Sequence, residues 1–258
     1  MTLMDHLREL RNRIVKCVIA VVVGAILGWF LYERIFRFMT HPYCVSAKGT
    51  DRACQLYFTD LLAGFLLHLK VSTYTGLLVA LPVILWQLWR FITPGLYRNE
   101  RRYALAFVSA SLLLFTLGAA LAYITLPPMI SWLVDNSGPG DLVSQIITAD
   151  KYFWLAAMLM LGFGIGFEFP IVLVTLQIVG ILDNKVLRSY RRHALVGIVA
   201  LVAVITPGGD PISLIALSIP MYLFYEAAIL IGWLIARRKE GRETTGSRDS
   251  DDQLTAQQ

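Results

Sequence analysis

The sequence predicts an all-α integral membrane protein with six transmembrane helices and both termini in the cytoplasm. Three observations carry that reading. Charged residues make up 16% of the chain, against about 25% in an ordinary soluble domain. Apolar residues make up 57% and gather in blocks long enough to cross a bilayer, which takes about 20 residues. Lys and Arg are also unevenly placed: four in residues 1–16, four in 90–103, four in 183–193 and five in 237–258, against five in 34–70 and Lys151. Cytoplasmic flanks carry the excess of positive charge. The net charge of +5 therefore needs no nucleic acid to explain it.

The elements follow in order. In residues 1–16, Leu3, Leu7, Leu10 and Ile14 recur at helical spacing and predict an amphipathic helix. The apolar run 17–32 is the first span. Tyr32-Glu-Arg-Ile after it offers no cleavage site, so the segment reads as an uncleaved anchor. Gly24 and Gly28 give it a small-residue packing face. Residues 33–70 read as a long outer loop, with the short apolar run Leu61–Leu69 as an interfacial helix. The second span covers 71–92, with a kink expected at Pro82. The third covers 104–126 and is expected to stop before Pro127-Pro128. After an outer loop comes a long fourth span, 153–182. The fifth, 194–206, has 13 residues and reaches only about 20 Å, short of a core of about 30 Å. The sixth covers 212–236. Residues 1–236 thus form the membrane domain. Residues 237–258 are polar and aperiodic and read as a disordered cytoplasmic tail.

Between the second and third spans lies Arg90-Phe-Ile-Thr-Pro-Gly-Leu-Tyr-Arg-Asn-Glu-Arg-Arg102. It reads either as an ordinary basic loop or as a docking surface. In the second reading Phe91, Leu96 and Tyr97 supply apolar contact, and Glu100 accepts from a cationic partner. Two carboxylates fall within spans, Glu168 and Glu226, and Gln87 is singled out beside them as an intramembrane polar residue. A carboxylate near a helix centre costs roughly 2.5–3.5 kcal/mol on insertion scales. Glu226 reads either as hydrated near the cytoplasmic surface or as a functional group. Glu168 is deeper, between Gly162, Gly164 and Gly166 on one side and Pro170 on the other, and predicts a polar pocket.

Cys17 reads as a small buried apolar residue. Cys44 and Cys54 share an outer loop, where oxidation is permitted, and are a disulfide candidate. The four histidines are scattered, so no metal site or cofactor is expected. No nucleophile elbow, zinc-protease motif or phosphate-binding glycine loop occurs, and no enzyme activity is expected. A proton-coupled secondary transporter with Glu168 as proton carrier is the competing functional class. The absence of a clear repeat between the halves counts against it.

Several motifs resemble the TatC family, the polytopic subunit of the twin-arginine protein translocase. They are His6-Leu-Arg-Glu-Leu-Arg11, Phe91-Ile-Thr-Pro-Gly-Leu-Tyr-Arg-Asn-Glu-Arg-Arg102, Phe167-Glu-Phe-Pro170 and Ile219-Pro-Met-Tyr222. The resemblance runs from residue 1 to about 236. It implies a multi-pass protein of the bacterial cytoplasmic membrane that binds twin-arginine signal peptides of folded cargo. It also implies self-association and work with TatA- and TatB-like single-span partners. Its recognition residues would be Glu9, Arg11, Phe91, Pro94, Leu96, Tyr97, Glu100 and Arg101. Glu168 would be the family's intramembrane glutamate, and Pro42 and Asp210 its outer-loop residues. One turn departs from the family pattern: an extra residue precedes Asp210, and Leu214 follows Ser213 where the family often has Gln. The chemistry of the recognition residues suits the role. A guanidinium pairs with a carboxylate through two parallel hydrogen bonds, so two arginines need two acceptors, here Glu9 and Glu100.

Overall fold

The computed structural model describes residues 3–47, 54–92, 104–136, 146–178, 180–182, 184–206 and 210–255. These are almost wholly helical, as a chain in lipid must be when its backbone groups find no water. Among the described residues nine helices run in chain order: α1 (Leu3–Phe30), α2 (Tyr32–Ala47), α3 (Ala63–Ile92), α4 (Ala104–Asp135), α5 (Ala149–Gly166), α6 (Phe169–Ile178), α7 (Asn184–Ser189), α8 (Arg191–Ile205) and α9 (Pro211–Thr255). Five stretches of the described residues are long and apolar enough to span a membrane: Leu7–Phe30, Ala63–Arg90, Phe107–Asp135, Ala149–Ile178 and Pro211–Trp233.

The core lies among α3, α4, α5 and α9. Leu67, Leu126, Met129, Phe153, Leu159, Phe163, Leu217 and Met221 are its largest fully buried side chains. By contrast α1 stands at the edge. Val18, Ile19, Val22, Val23 and Ile26 are each about half exposed, as lipid-facing residues would be. Its inner face packs on α3 through glycines. A Cβ at Gly76 would meet the Val21 carbonyl oxygen at 2.5 Å, and one at Gly24 the Gly76 carbonyl oxygen at 2.8 Å. The two backbones touch only because both side chains are absent. At the C-terminal end of α1 the His68 ring is stacked between Trp29 at 4.0 Å and Tyr32 at 3.9 Å, clasping the α1–α2 turn to α3.

The structure departs from the sequence reading in five places. Residues 33–47 of the expected outer loop lie in α2, whose Met39, Pro42, Tyr43 and Ala47 are buried. The apolar run before the second span is not a separate interfacial helix; from Ala63 onward it is the start of α3. The helix of the expected third span, α4, passes through Pro127-Pro128 to Asp135. Each proline removes a helical bond, but Leu126, Met129 and Ile130 around them are buried in the core and hold the helix together. The 183–193 segment contains the short helix α7. Finally, α9 continues as helix to Thr255 where no regular structure was expected. Extending a formed helix avoids the cost of nucleation, and Arg237, Arg238, Lys239 and Glu240 are good helix formers.

The fourth apolar stretch is interrupted. α5 ends at Gly166 and α6 begins at Phe169. Pro170 has no N–H for the Gly166 carbonyl, and its ring crowds the preceding turn. The chain responds by tightening: the Glu168 N–H bonds the Ile165 carbonyl at 3.0 Å, three residues back rather than four. The break therefore falls on the glutamate.

Candidate recognition and intramembrane sites

Glu9 lies on α1 and is ion-paired with Arg13, one turn on. Arg13 also reaches across to α3, where its Nη1 donates to the Gln87 carbonyl at 3.1 Å. Arg13 thus ties the N-terminal helix to the last turns of α3. Arg11 is exposed on α1. Phe91 stands in the last turn of α3, and its side chain lies outside the described residues, as do Pro94, Leu96, Tyr97, Glu100 and Arg101. Between α1 and α3 runs an apolar groove of about 350 Å³, lined by Leu10, Ile14, Val18, Ile84 and Leu88, with Arg13 and Gln87 supplying its polar residues. Gln87 therefore takes part through its backbone as well as through its place at the groove.

Glu168 sits at the α5–α6 break, half-buried. Ser111 of α4 is the polar side chain beside it. Its Oε1 is buried without a partner among the described residues. Ser111 is fully buried and accepts a bond from the Trp89 indole N–H of α3 at 3.0 Å. Trp89 is itself buried and stacks on Phe107 at 5.0 Å between centroids. Close packing of α4 on α5 keeps the group together. A Cβ at Gly118 would meet the Phe163 carbonyl oxygen at 2.5 Å, and one at Gly164 the Phe115 ring at 2.6 Å. The polar groups near Glu168 are thus Ser111 and, bonded to it, Trp89. Ser111 and Trp89 escaped the sequence reading. A serine seven residues into a long apolar run was the available signal.

Glu226 is not grouped with Glu168. It pairs with Arg191, the first residue of α8, at 2.8 Å and accepts from the Tyr222 hydroxyl at 3.2 Å. This carboxylate inside α9 thus has its own cation, supplied by the start of α8.

Pro42 lies inside α2 and leaves the Phe38 carbonyl without its helical donor. The Tyr123 hydroxyl of α4 donates to that carbonyl at 2.9 Å, and the Tyr152 hydroxyl of α5 donates to Met39 at 2.5 Å. Cys44 and Cys54 are joined by a disulfide, with Cα atoms 5.0 Å apart. Just beyond it, Tyr57 and Thr148 form a β-bridge that fastens this segment to the start of α5. Asp210 is the N-cap of α9. Its Oδ2 accepts from the Ser213 N–H at 2.6 Å, and Pro211 occupies the first helical position, where its missing N–H costs nothing. Asp210 is fully buried, and its Oδ1 finds no partner among the described residues.

Known proteins share this arrangement. The family model "Sec-independent protein translocase protein (TatC)" matches residues 5–220. A relative of that name from Frankia casuarinae is 40% identical over 265 residues, spanning 99% of this chain and 72% of the relative. One from Deinococcus radiodurans is 34% identical over 230 residues, spanning 89% of this chain and 84% of the relative. A crystal structure described as the twin-arginine translocase receptor TatC superposes with a TM-score of 0.73 at 33% identity, covering 89% of this chain and 98% of the other.

Proposed function

Because this chain belongs to the TatC family of Sec-independent protein translocase proteins, we propose that it receives twin-arginine signal peptides at its N-terminal helix and its 93–103 segment. It is a core subunit of the twin-arginine translocase, resident in the bacterial cytoplasmic membrane. The observation that carries the receptor reading is the Arg13 bridge. It joins the Glu9 turn to Gln87, four residues before Phe91, so the two stretches that hold the expected recognition residues start from one packed junction.

The rest of the proposal follows from chemistry. Glu9 and Glu100 each accept from one guanidinium of the arginine pair. The chain crosses the membrane six times with both termini inside. α8 is the short fifth crossing: its 15 residues reach about 22 Å and would thin the bilayer around it. The Lys and Arg distribution supports this orientation. Residues 1–236 form the membrane domain, and 237–258 project into the cytoplasm. The chain performs no covalent chemistry of its own and moves folded cargo together with TatA- and TatB-like single-span proteins and further copies of itself.

Site-specific photocrosslinking from position 97 or 100 to a twin-arginine precursor tests the site. Strong adducts that vanish with a twin-lysine precursor are expected, and their absence would overturn it. Transport of a small solute by the purified chain alone, without single-span partners, would instead favour the proton-coupled transporter built on Glu168.

A further inference from the structure

α1 and α3 are joined at two points. The backbones touch at Gly24 and Gly76, and nearer the N-terminus Arg13 donates to the Gln87 carbonyl at 3.1 Å. These points lie about 16 Å apart along α1, and between them the helices leave the apolar groove of about 350 Å³. Its walls are Ile14, Cys17, Val18 and Val21 of α1 and Ile84 and Leu88 of α3. Ile14, Val18 and Leu88 are each about half exposed, so the groove opens sideways toward lipid. Water would find no partners along these walls, and an empty slot would forfeit dispersion contacts on both helices. At about 30 Å³ for a water-sized group, the volume takes about a dozen methylenes. A single hydrocarbon chain fits a slot between helices joined at two points; a helix, about 10–12 Å across with its side chains, does not. Arg11 stands on the same face as the open wall: Arg11, Ile14, Val18 and Val22 follow one another at helical spacing. Arg11 is exposed, and no ion pair holds it among the described residues. It is one of four Lys and Arg in residues 1–16, against the two carboxylates Asp5 and Glu9, and Glu9 is already paired with Arg13. The rim is therefore cationic at this end, and the groove beyond it is apolar.

We infer that this groove is a binding site for one anionic phospholipid: an acyl chain lies along residues 14–22 of α1 against Leu88, and Arg11 holds the phosphate. A guanidinium meets a phosphate through two parallel hydrogen bonds. Basic segments beside a span attract anionic headgroups. A zwitterionic headgroup brings a cation of its own, which the positive rim repels, so the site discriminates by charge as well as by the fit of the chain.

Native mass spectrometry of the full-length chain in detergent, offered equal amounts of palmitoyl-oleoyl phosphatidylglycerol and phosphatidylcholine, reads the site. The chain should retain one phosphatidylglycerol, in about tenfold preference, the scale of one charge-assisted hydrogen bond. Val18→Trp, which fills the groove, should lower that retention about as much, back to the level of a lipid without the site. Ile19→Trp, on a lipid-facing surface outside the groove, should not. Arg11→Gln should abolish the preference. Lys16→Gln makes the same change of charge on another face of α1 and should keep it. Equal retention of the two lipids by the unaltered chain would overturn the proposal, and so would equal effects of Arg11→Gln and Lys16→Gln. A second arm uses Cys17, which lines the groove and is the one cysteine outside the disulfide. In vesicles, a bilayer-soluble maleimide should alkylate Cys17 more slowly in phosphatidylglycerol than in phosphatidylcholine. Arg11→Gln should remove more of that difference than Lys16→Gln, and any effect of surface charge on the thiol is the same in both variants. Shielding of Cys17 that appears only when a twin-arginine precursor is added, in either lipid, would make the groove a peptide site and overturn the lipid assignment. If Val18→Trp fails to accumulate, the Arg11 and Lys16 variants and the thiol rates still decide.

Discussion

Arg191 and Glu226 pair at 2.8 Å and so join the first residue of α8 to the middle of α9. Both side chains are partly exposed, at 41% and 29%, so water screens the pair. Loss of either partner should cost about 0.5–1 kcal/mol. Glu226→Gln and Arg191→Gln are expected to destabilise by less together than the two separate losses added. Thermal melts of the purified protein in one detergent at fixed salt check this, and raised salt should shrink the coupling.

The Tyr123–Phe38 bond can be separated from packing by its dependence on Pro42. Tyr123→Phe should cost about 1 kcal/mol, the worth of one hydrogen bond. In a Pro42→Ala background the alanine N–H can take the Phe38 carbonyl. Tyr123→Phe should then cost close to nothing. Denaturation of the four proteins in parallel measures the cycle, and an equal cost in both backgrounds contradicts the assignment.

The Cys44–Cys54 bridge closes a short loop with a sequence separation of 10. The protein should show one reactive thiol, Cys17, under non-reducing denaturation and three after reduction. Replacing both loop cysteines by serine should lower stability by about 2–3 kcal/mol in a chain-entropy treatment. Mass spectrometry after alkylation reads the first outcome, and a melt reads the second.

Gly76→Ala should be among the most damaging small substitutions in the chain. The added methyl would sit 2.5 Å from the Val21 carbonyl oxygen and 2.6 Å from the Ala25 nitrogen, and backbone atoms cannot swing away. Overpacking of this kind costs roughly 1–3 kcal/mol or more. Gly197→Ala, with nothing within 4 Å of the new Cβ, is the control and should be neutral. Expression level and melting temperature distinguish the two.

Glu100→Gln should weaken a twin-arginine peptide about ten- to a hundredfold, as the loss of a charge-assisted bond predicts, and weaken a twin-lysine peptide far less. Arg13→Gln should also weaken the twin-arginine peptide, since Arg13 both pairs with Glu9 and holds α1 against Gln87. Fluorescence anisotropy with both peptides at fixed salt measures each effect. Equal losses for the two peptides would mean that Glu100 only organises its own segment.

Much of this architecture was legible because the bilayer imposes length. The apolar runs before Ile92, after Ala104 and after Pro211 each became a helix, and the break at Glu168 was foreshadowed by its flanking glycines and Pro170. The misreadings came from proline and from context. Pro42 and Pro127-Pro128 look like helix stops in a linear reading. Only the folded chain supplies the Tyr123 hydroxyl that replaces a lost donor, and the buried neighbours that offset two lost bonds. Asp210 was singled out by resemblance, yet its capping of α9 could be read from Asp-Pro-Ile-Ser alone. The polar neighbours of Glu168 could not. Ser111 and Trp89 lie on two other helices, and no local spacing announces which side chains will meet across three of them.

The Gly24–Gly76 contact has a mechanical consequence. α1 is unbroken from Leu3 to Phe30 and so behaves as a stiff rod whose tightest bearing is that contact. Glu9 lies 15 residues, or about 22 Å, to one side of the bearing, and Phe30 six residues, or about 9 Å, to the other. Such a rod is a lever with a gearing of about 2.5. A sideways pull of about 4 Å on the Glu9 arm swings the far arm by about 1.6 Å in the opposite sense. That short throw arrives at Trp29, where His68 is gripped between two rings. A displacement at one end of α1 would thereby return at its other end reversed and reduced.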